Sequence, residues 1–351
     1  MSTETLSLRR PDDWHLHLRD GAQMAAVLPF TAARFARALV MPNLKPPMTT
    51  VDALAAYRER ILAARPAGSG FEPLMTLYLT DGTPTAEIAR ARASGFVLGA
   101  KLYPAGATTH SDSGVTSIEA AWPALEALAE HDLVLQVHGE VTDPGVDVFD
   151  REHAFIDRVL SRIVERLPSL RVVFEHVTTR EAVEFVRGAR PGVAATITPQ
   201  HLLLNRTAMF EGGLRPHLYC LPVLKRERDR VALVEAATGD DLRFFLGTDS
   251  APHAKHTKEA SCGCAGVFSA HAGLELYAEA FEAAGRLDRL EAFAAERGAD
   301  FYRRPRSSGY VELRREPWTV PAAYPFGGAD ELVPMRAGAT MRWRFAGSTG
   351  P

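Results

Sequence analysis

Residues 12–21 read DDWHLHLRDG, and the types and spacing of the polar residues suggest chemistry before any fold is known. In an extended strand successive side chains point to opposite faces. That alternation places His15, His17 and Arg19 on one face, and Trp14, Leu16 and Leu18 on the other. Gathering two imidazoles and a guanidinium in one buried space is costly unless something there takes them up. Neutral imidazoles and carboxylates are the ligands of zinc and its first-row neighbours, and two histidines at i and i+2 can hold one ion from one side.

Further polar residues of the same chemistry end later apolar runs: Asn43, Lys101, His138, His176 and Asp249. Each alone has a plainer reading. A strand-end His is usually a hydrogen-bonded structural residue, a lone Lys extends its ammonium to the rim, and an Asp caps the next helix. Together they leave several buried polar groups unsatisfied unless they bind something. A lysine among metal-seeking groups is odd, because an ammonium repels cations. It fits if desolvation favours the neutral amine, which can take up carbon dioxide as a carbamate whose two oxygens bridge two metals. The expected centre is binuclear, with a bridging hydroxide as nucleophile and Asp249 moving the proton.

Elements must bring these residues together. Eight short apolar runs stand at 14–18, 36–43, 72–80, 95–103, 133–140, 171–177, 192–199 and 243–250. Helical spacing of apolar residues marks 51–64, 117–130, 150–167 and 226–237 between them, then 271–284 and 289–302. Alternating strand and helix is the pattern of a parallel sheet covered by helices, and eight repeats suit an α/β fold, the (β/α)8 TIM barrel. No GxGxxG follows the first strand, so a dinucleotide-binding open sheet has no support. In such a barrel the C-terminal strand ends form the mouth of the site, where these scattered residues would converge. We expect residues 1–351 to form a single barrel domain, with 305–351 as a C-terminal appendage packed on it.

The 351 residues are 46% hydrophobic and 24% charged, with a formal net charge of -3. The absence of a long basic run argues against nucleic-acid or anionic-membrane binding. MSTETLSLRR lacks a signal-peptide core, and no run approaches the roughly 20 apolar residues of a membrane span. A cytoplasmic protein is expected. Cys220, Cys262 and Cys264 are an odd, sparse set that fits a reducing compartment, and the CGC at 262–264 reads as ordinary loop.

The ordered set RRPDDWHLHLRDG, VMPN, AKLYPAGATT, VHGEVT, FEHVTT, TITPQHL, RPHLYCLPVLKR, LGTDSAPHA with KE, and SCGCAG resembles the amidohydrolase superfamily. Within it, the set is similar to the stand-alone bacterial dihydroorotase family, from Leu6 to about Phe345. HxH alone is weak; the full ordered set is specific. The resemblance implies reversible, zinc-dependent cyclisation of N-carbamoyl-L-aspartate to L-dihydroorotate in pyrimidine (UMP) synthesis, by a homodimer. It implies two Zn2+ per subunit. His15, His17 and Asp249 would hold one, His138 and His176 the other, with N6-carboxylated Lys101 and a hydroxide as bridges. Arg19 and Asn43 would bind the anionic substrate, with His253 and the backbone around Leu221 and Ala265. The small, polar stretch 103–117 reads as a lid bringing Thr108 and Thr109 to the substrate.

Two other readings compete. Hydantoinases and allantoinases share the metal-binding pattern but need not carry the Arg19 and Asn43 pair. A non-catalytic relative used as an assembly scaffold would tend to lose ligands, and here all six are present.

Overall fold

A computed structural model of the chain describes residues 4–261 and 263–349. Strand β1 (Thr5–Arg9) lies outside the central sheet. The next eight strands are β2 (Asp12–Leu16), β3 (Arg37–Val40), β4 (Glu72–Tyr78), β5 (Val97–Leu102), β6 (Val134–Val137), β7 (Val172–Phe174), β8 (Val193–Ile197) and β9 (Phe244–Leu246). They form one sheet in sequential order, every neighbouring pair parallel. Seven fall inside their expected runs, because strands buried on both faces are mostly apolar, and β2 starts two residues ahead of its run, at Asp12 and Asp13, which bond to Arg37 and Thr248. The sheet closes between its first and last strands. Leu16 bridges Ser250 in parallel, and the Asp249 amide donates to the His15 carbonyl at 2.8 Å. The fold is a (β/α)8 barrel.

The helices follow the periodicity, with two differences. Residues 150–167 are α-helical at Arg151–Phe155 and Ser161–Arg166 but π-helical at Ile156–Leu160, and the Ser161 hydroxyl donates to the Ile156 carbonyl five residues back. A second wide turn, Ala292–Glu296, precedes the α-helix Arg297–Phe301. A π turn takes in one extra residue, which spacing counts do not register.

The tail is tied to the other end of the chain. Strand β10 (Tyr310–Arg314) lies between β1 and the strand Arg344–Thr349 in a three-stranded antiparallel sheet. Trp343 and Phe326 are buried as part of the main core. Among the described residues no helix is long and apolar enough to cross a membrane. Cys262 lies outside the described residues, Cys220 is buried and Cys264 half-buried.

Candidate active site

Strict alternation puts Trp14 opposite the histidines, and here the structure corrects it. The register with β3 slips between Asp13 and Leu16, a β-bulge that gives β2 one extra residue. Trp14 therefore packs with the barrel-interior residues Leu39, Leu74, Val134, Val173, Ala194 and Phe245, while His15 and His17 still enter the mouth above them. Arg19 also arrives by another route. The strand ends at Leu16, and Arg19 turns in with φ +64, a conformation that side chains rarely adopt. His176 and Asp249, just past β7 and β9, share it at φ +42 and +45.

Ligand atoms of His15, His17 and Asp249 all lie within 4.8 Å of one another. Asp249 Oδ1 is 3.1 Å from His17 Nε2 and 3.5 Å from His15 Nε2. His176 stands between this group and His138, its ring centroid 4.9 Å from each of His15 and His138. Burial, and then the neighbouring Lys101 charge, hold His15 and His176 well below the usual imidazole range; burial also lowers His17 against the pull of Asp249. The shift favours the neutral form of all three, which is the form that ligates. Burial pushes Asp249 up, but the His17 hydrogen bond and the charges of His15, His17 and Lys101 outweigh it, and the carboxyl stays below its ordinary value.

Carboxylates fix the outward nitrogens. Glu175 Oε2 lies 2.8 Å from His15 Nδ1 and accepts from Thr196 Oγ1 at 2.5 Å, leaving His15 Nε2 to face Asp249. Glu140 Oε2 lies 2.8 Å from His138 Nε2, leaving Nδ1 for the cavity. Carboxylates in this position orient ligating imidazoles and raise their basicity. Gly139 permits the tight His138–Glu140 turn, since a Cβ there would lie 2.0 Å from the Phe174 ring.

Lys101 is fully buried in β5, and its Nζ has no hydrogen-bond partner. Burial lowers the ammonium to about 8, with Glu175 and Asp249 resisting. His176 Nδ1 is likewise buried without a partner. An orphaned amine and an orphaned imidazole nitrogen beside ready carboxylate and imidazole donors are what a bound divalent cation would satisfy. The residues fit a metal centre.

The cavity in front of them is narrow, about 20 Å³, and is lined by Arg19, Asn43, Thr108, Thr109, Leu221 and Ala265, besides the four histidines and Asp249. Arg19 donates Nε to the Pro252 carbonyl at 2.8 Å. His253 does not line the cavity. Its Nε2 is 2.8 Å from Arg19 Nη2 and 2.9 Å from the Ala265 carbonyl, and it serves one of them at a time. Stretch 103–117 lies closed over the mouth. Asn43 Nδ2 donates to the Thr109 carbonyl at 3.0 Å, and Thr109 Oγ1 donates to Ala265 O at 3.2 Å. Ser111, fully buried, pins the loop to itself by donating to Thr108 O at 2.7 Å.

Sequence reasoning passed over Glu175, Glu140 and Tyr103, whose buried hydroxyl lacks a partner beside the cavity. The carboxylates had a signal, a Glu within two residues of each candidate His in FEH and HGE. Alternation would turn Glu175 away from His176, and only the left-handed turn at His176 brings both inward.

Residues 13–330 match the Amidohydrolase family. Dihydroorotase of Laribacter hongkongensis is 66% identical over 344 residues, covering 98% of this chain and 99% of that protein. Dihydroorotase of Methylobacillus flagellatus is 64% identical over 343 residues, covering 98% and 99%. The crystal structure of dihydroorotase from Campylobacter jejuni superposes with a TM-score of 0.89 at 34% identity, covering 99% of this chain and 98% of that one. Identity of this extent, with the buried histidines, lysine and aspartate gathered at one barrel mouth, means that the chain belongs to the amidohydrolase family and, within it, to the dihydroorotases.

Proposed function

We propose that the chain catalyses the reversible cyclisation of N-carbamoyl-L-aspartate to L-dihydroorotate for pyrimidine (UMP) synthesis, as a zinc-dependent cytoplasmic homodimer. The observation that carries this reading is the unpartnered Lys101 Nζ, buried among two sets of metal-ligand side chains in front of a cavity that holds Arg19 and Asn43. In this reading His15, His17 and Asp249 would hold one Zn2+ and His138 and His176 the other, with Lys101, as its carbamate, supplying an anionic ligand to the pair. Two such ions supply Lewis acidity at the amide carbonyl and make water a nucleophile at neutral pH.

The protein's own groups do the rest. Asp249 receives the proton of the attacking water in ring opening and returns it to the departing ring nitrogen. Arg19 grips the substrate carboxylate, with Asn43 and the backbone at Leu221 and Ala265 adding hydrogen bonds. His253 steadies Arg19, and Thr108 and Thr109 cover the substrate and exclude water.

Purified protein incubated with L-dihydroorotate should show loss of its ultraviolet absorbance, with about two metals per chain on the same sample. Metal without turnover would move the substrate to another cyclic amide, and absence of both would leave only a scaffold. Ring closure turns a carboxylate into an uncharged amide carbonyl and consumes one proton, so low pH favours cyclisation and high pH hydrolysis. The product ratio should shift about tenfold per pH unit; matching pH profiles in the two directions would overturn this.

A further inference from the structure

Lys258 ends the short helix Lys255–Lys258, is only 4% exposed, and has no part in the chemistry above. A buried ammonium is ordinarily matched by a carboxylate. Here the partners recorded for Nζ are three backbone carbonyls: Tyr219 at 2.8 Å, Cys264 at 2.8 Å and Gly266 at 2.7 Å. An ammonium has three N–H donors, so all are used.

The acceptors belong to two separate segments, and each is a wall of the cavity. Leu221 stands two residues beyond Tyr219, while Ala265 and Gly266 lie at or between the other acceptors. The segments also meet directly, through the Gly266 amide donating to the Tyr219 carbonyl at 3.0 Å. Gly266 has φ +149, and a Cβ there would lie 2.6 Å from the Ala251 carbonyl, so this wall is set at a close approach that leaves little slack. Between the two carbonyls that Lys258 holds, Ala265 O receives the Thr109 hydroxyl of the closed loop.

We propose that Lys258 is a positioning residue, whose ammonium pins the 219–221 and 264–266 backbones together and so fixes where substrate and closing loop meet them. The inference rests on the proposed dihydroorotase reading for the identity of the substrate. Lys258→Met keeps the length and removes all three donors, and Lys258→Gln keeps two donors without the charge. Hydrogen exchange of residues 217–224 and 260–267 should be compared in both variants and the native protein, alongside KM and kcat for L-dihydroorotate.

The expected result is exchange at least about tenfold faster in K258M, confined to those two segments. KM should rise about tenfold while kcat falls less than about threefold, because metal ligands and Asp249 are untouched. K258Q should recover part of both, and it carries the test alone if K258M fails to fold. Unchanged exchange, exchange raised evenly through the barrel, or loosened segments with an unchanged KM would each overturn the proposal. Absence of turnover in the native protein would strike the substrate reading only, since the exchange comparison still decides whether Lys258 pins the walls.

Discussion

The floor and the mouth of the barrel are built from the same eight strands and differ in almost every physical respect. The floor is Leu39, Leu74, Val134, Val173, Ala194 and Phe245, closed by Trp14 stacked on Tyr302 with centroids 4.4 Å apart and rings 5° from parallel. One inward position higher, Thr76 donates to Gln136 at 2.5 Å, and Thr196 serves Glu175. Above them come the histidines and Asp249 that line the cavity, with Lys101 buried in β5 near Glu175 and Asp249. Dispersion and burial stabilise the floor. The mouth carries left-handed backbone at Arg19, His176 and Asp249 and buried polar atoms without partners at Lys101, Tyr103 and His176. Strain and unsatisfied polarity concentrate where a ligand repays them, and the apolar layer beneath holds the geometry against that cost.

If that division is sound, substitutions in the two layers should fail in different ways. Lys101→Ala should have the largest effect, removing metal and lowering turnover by about a thousandfold or more. Two firmly bound metals per chain in that variant would sink the bridging role. Phe245→Ala, at a fully buried floor position, should cost about 3–5 kcal/mol in denaturant unfolding while kcat/KM of the folded protein stays within about threefold. A larger loss of catalysis would show that the floor tunes the mouth as well as supporting it.

Glu175→Gln tests the seam between the layers. It keeps the shape but weakens the hold on His15, and a metal titration should show about a 10- to 100-fold loss of affinity. The smallest effect on catalysis belongs to His271, outside both layers, which burial and then the Arg34 charge hold at about 3. Unfolded, an ordinary imidazole near 6.5 binds more protons throughout the window from about 3 to 6.5, so stability is lost as pH falls through that window and is unaffected above it. His271→Phe should flatten the acid limb of the unfolding curve and leave neutral-pH turnover unchanged. An unchanged acid limb would place the acid sensitivity in the mouth.

Much of this was legible in the chain. Most of the eight strands are apolar runs, as a parallel sheet buried on both faces requires. His15, His17, Lys101, His138, His176 and Asp249 stood out because polar groups at the ends of such runs are rare and costly. Pairing of β1 with β10 was not legible, because short strands some 300 residues apart carry no local sign of each other. The bulge in β2 was hidden for a related reason: alternation assumes a constant period, and only the neighbouring strand defines a slip. His253 was grouped with the substrate contacts, and its Nε2 stands 2.8 Å from Arg19 Nη2, a pairing that no motif encodes.

The sequence by itself determined which chemical groups are available and on which strand ends they stand, since side-chain type and periodicity are local properties. Which nitrogen of His15 and of His138 faces the cavity was decided only in three dimensions, by Glu175 and Glu140 respectively. Asp13 and Thr248 meet across 235 residues to close the sheet, and that closure brings Asp249 to His15 and His17. Closure, register and backbone turns of opposite hand are agreements between distant segments, and their energy exists only once both partners are in place.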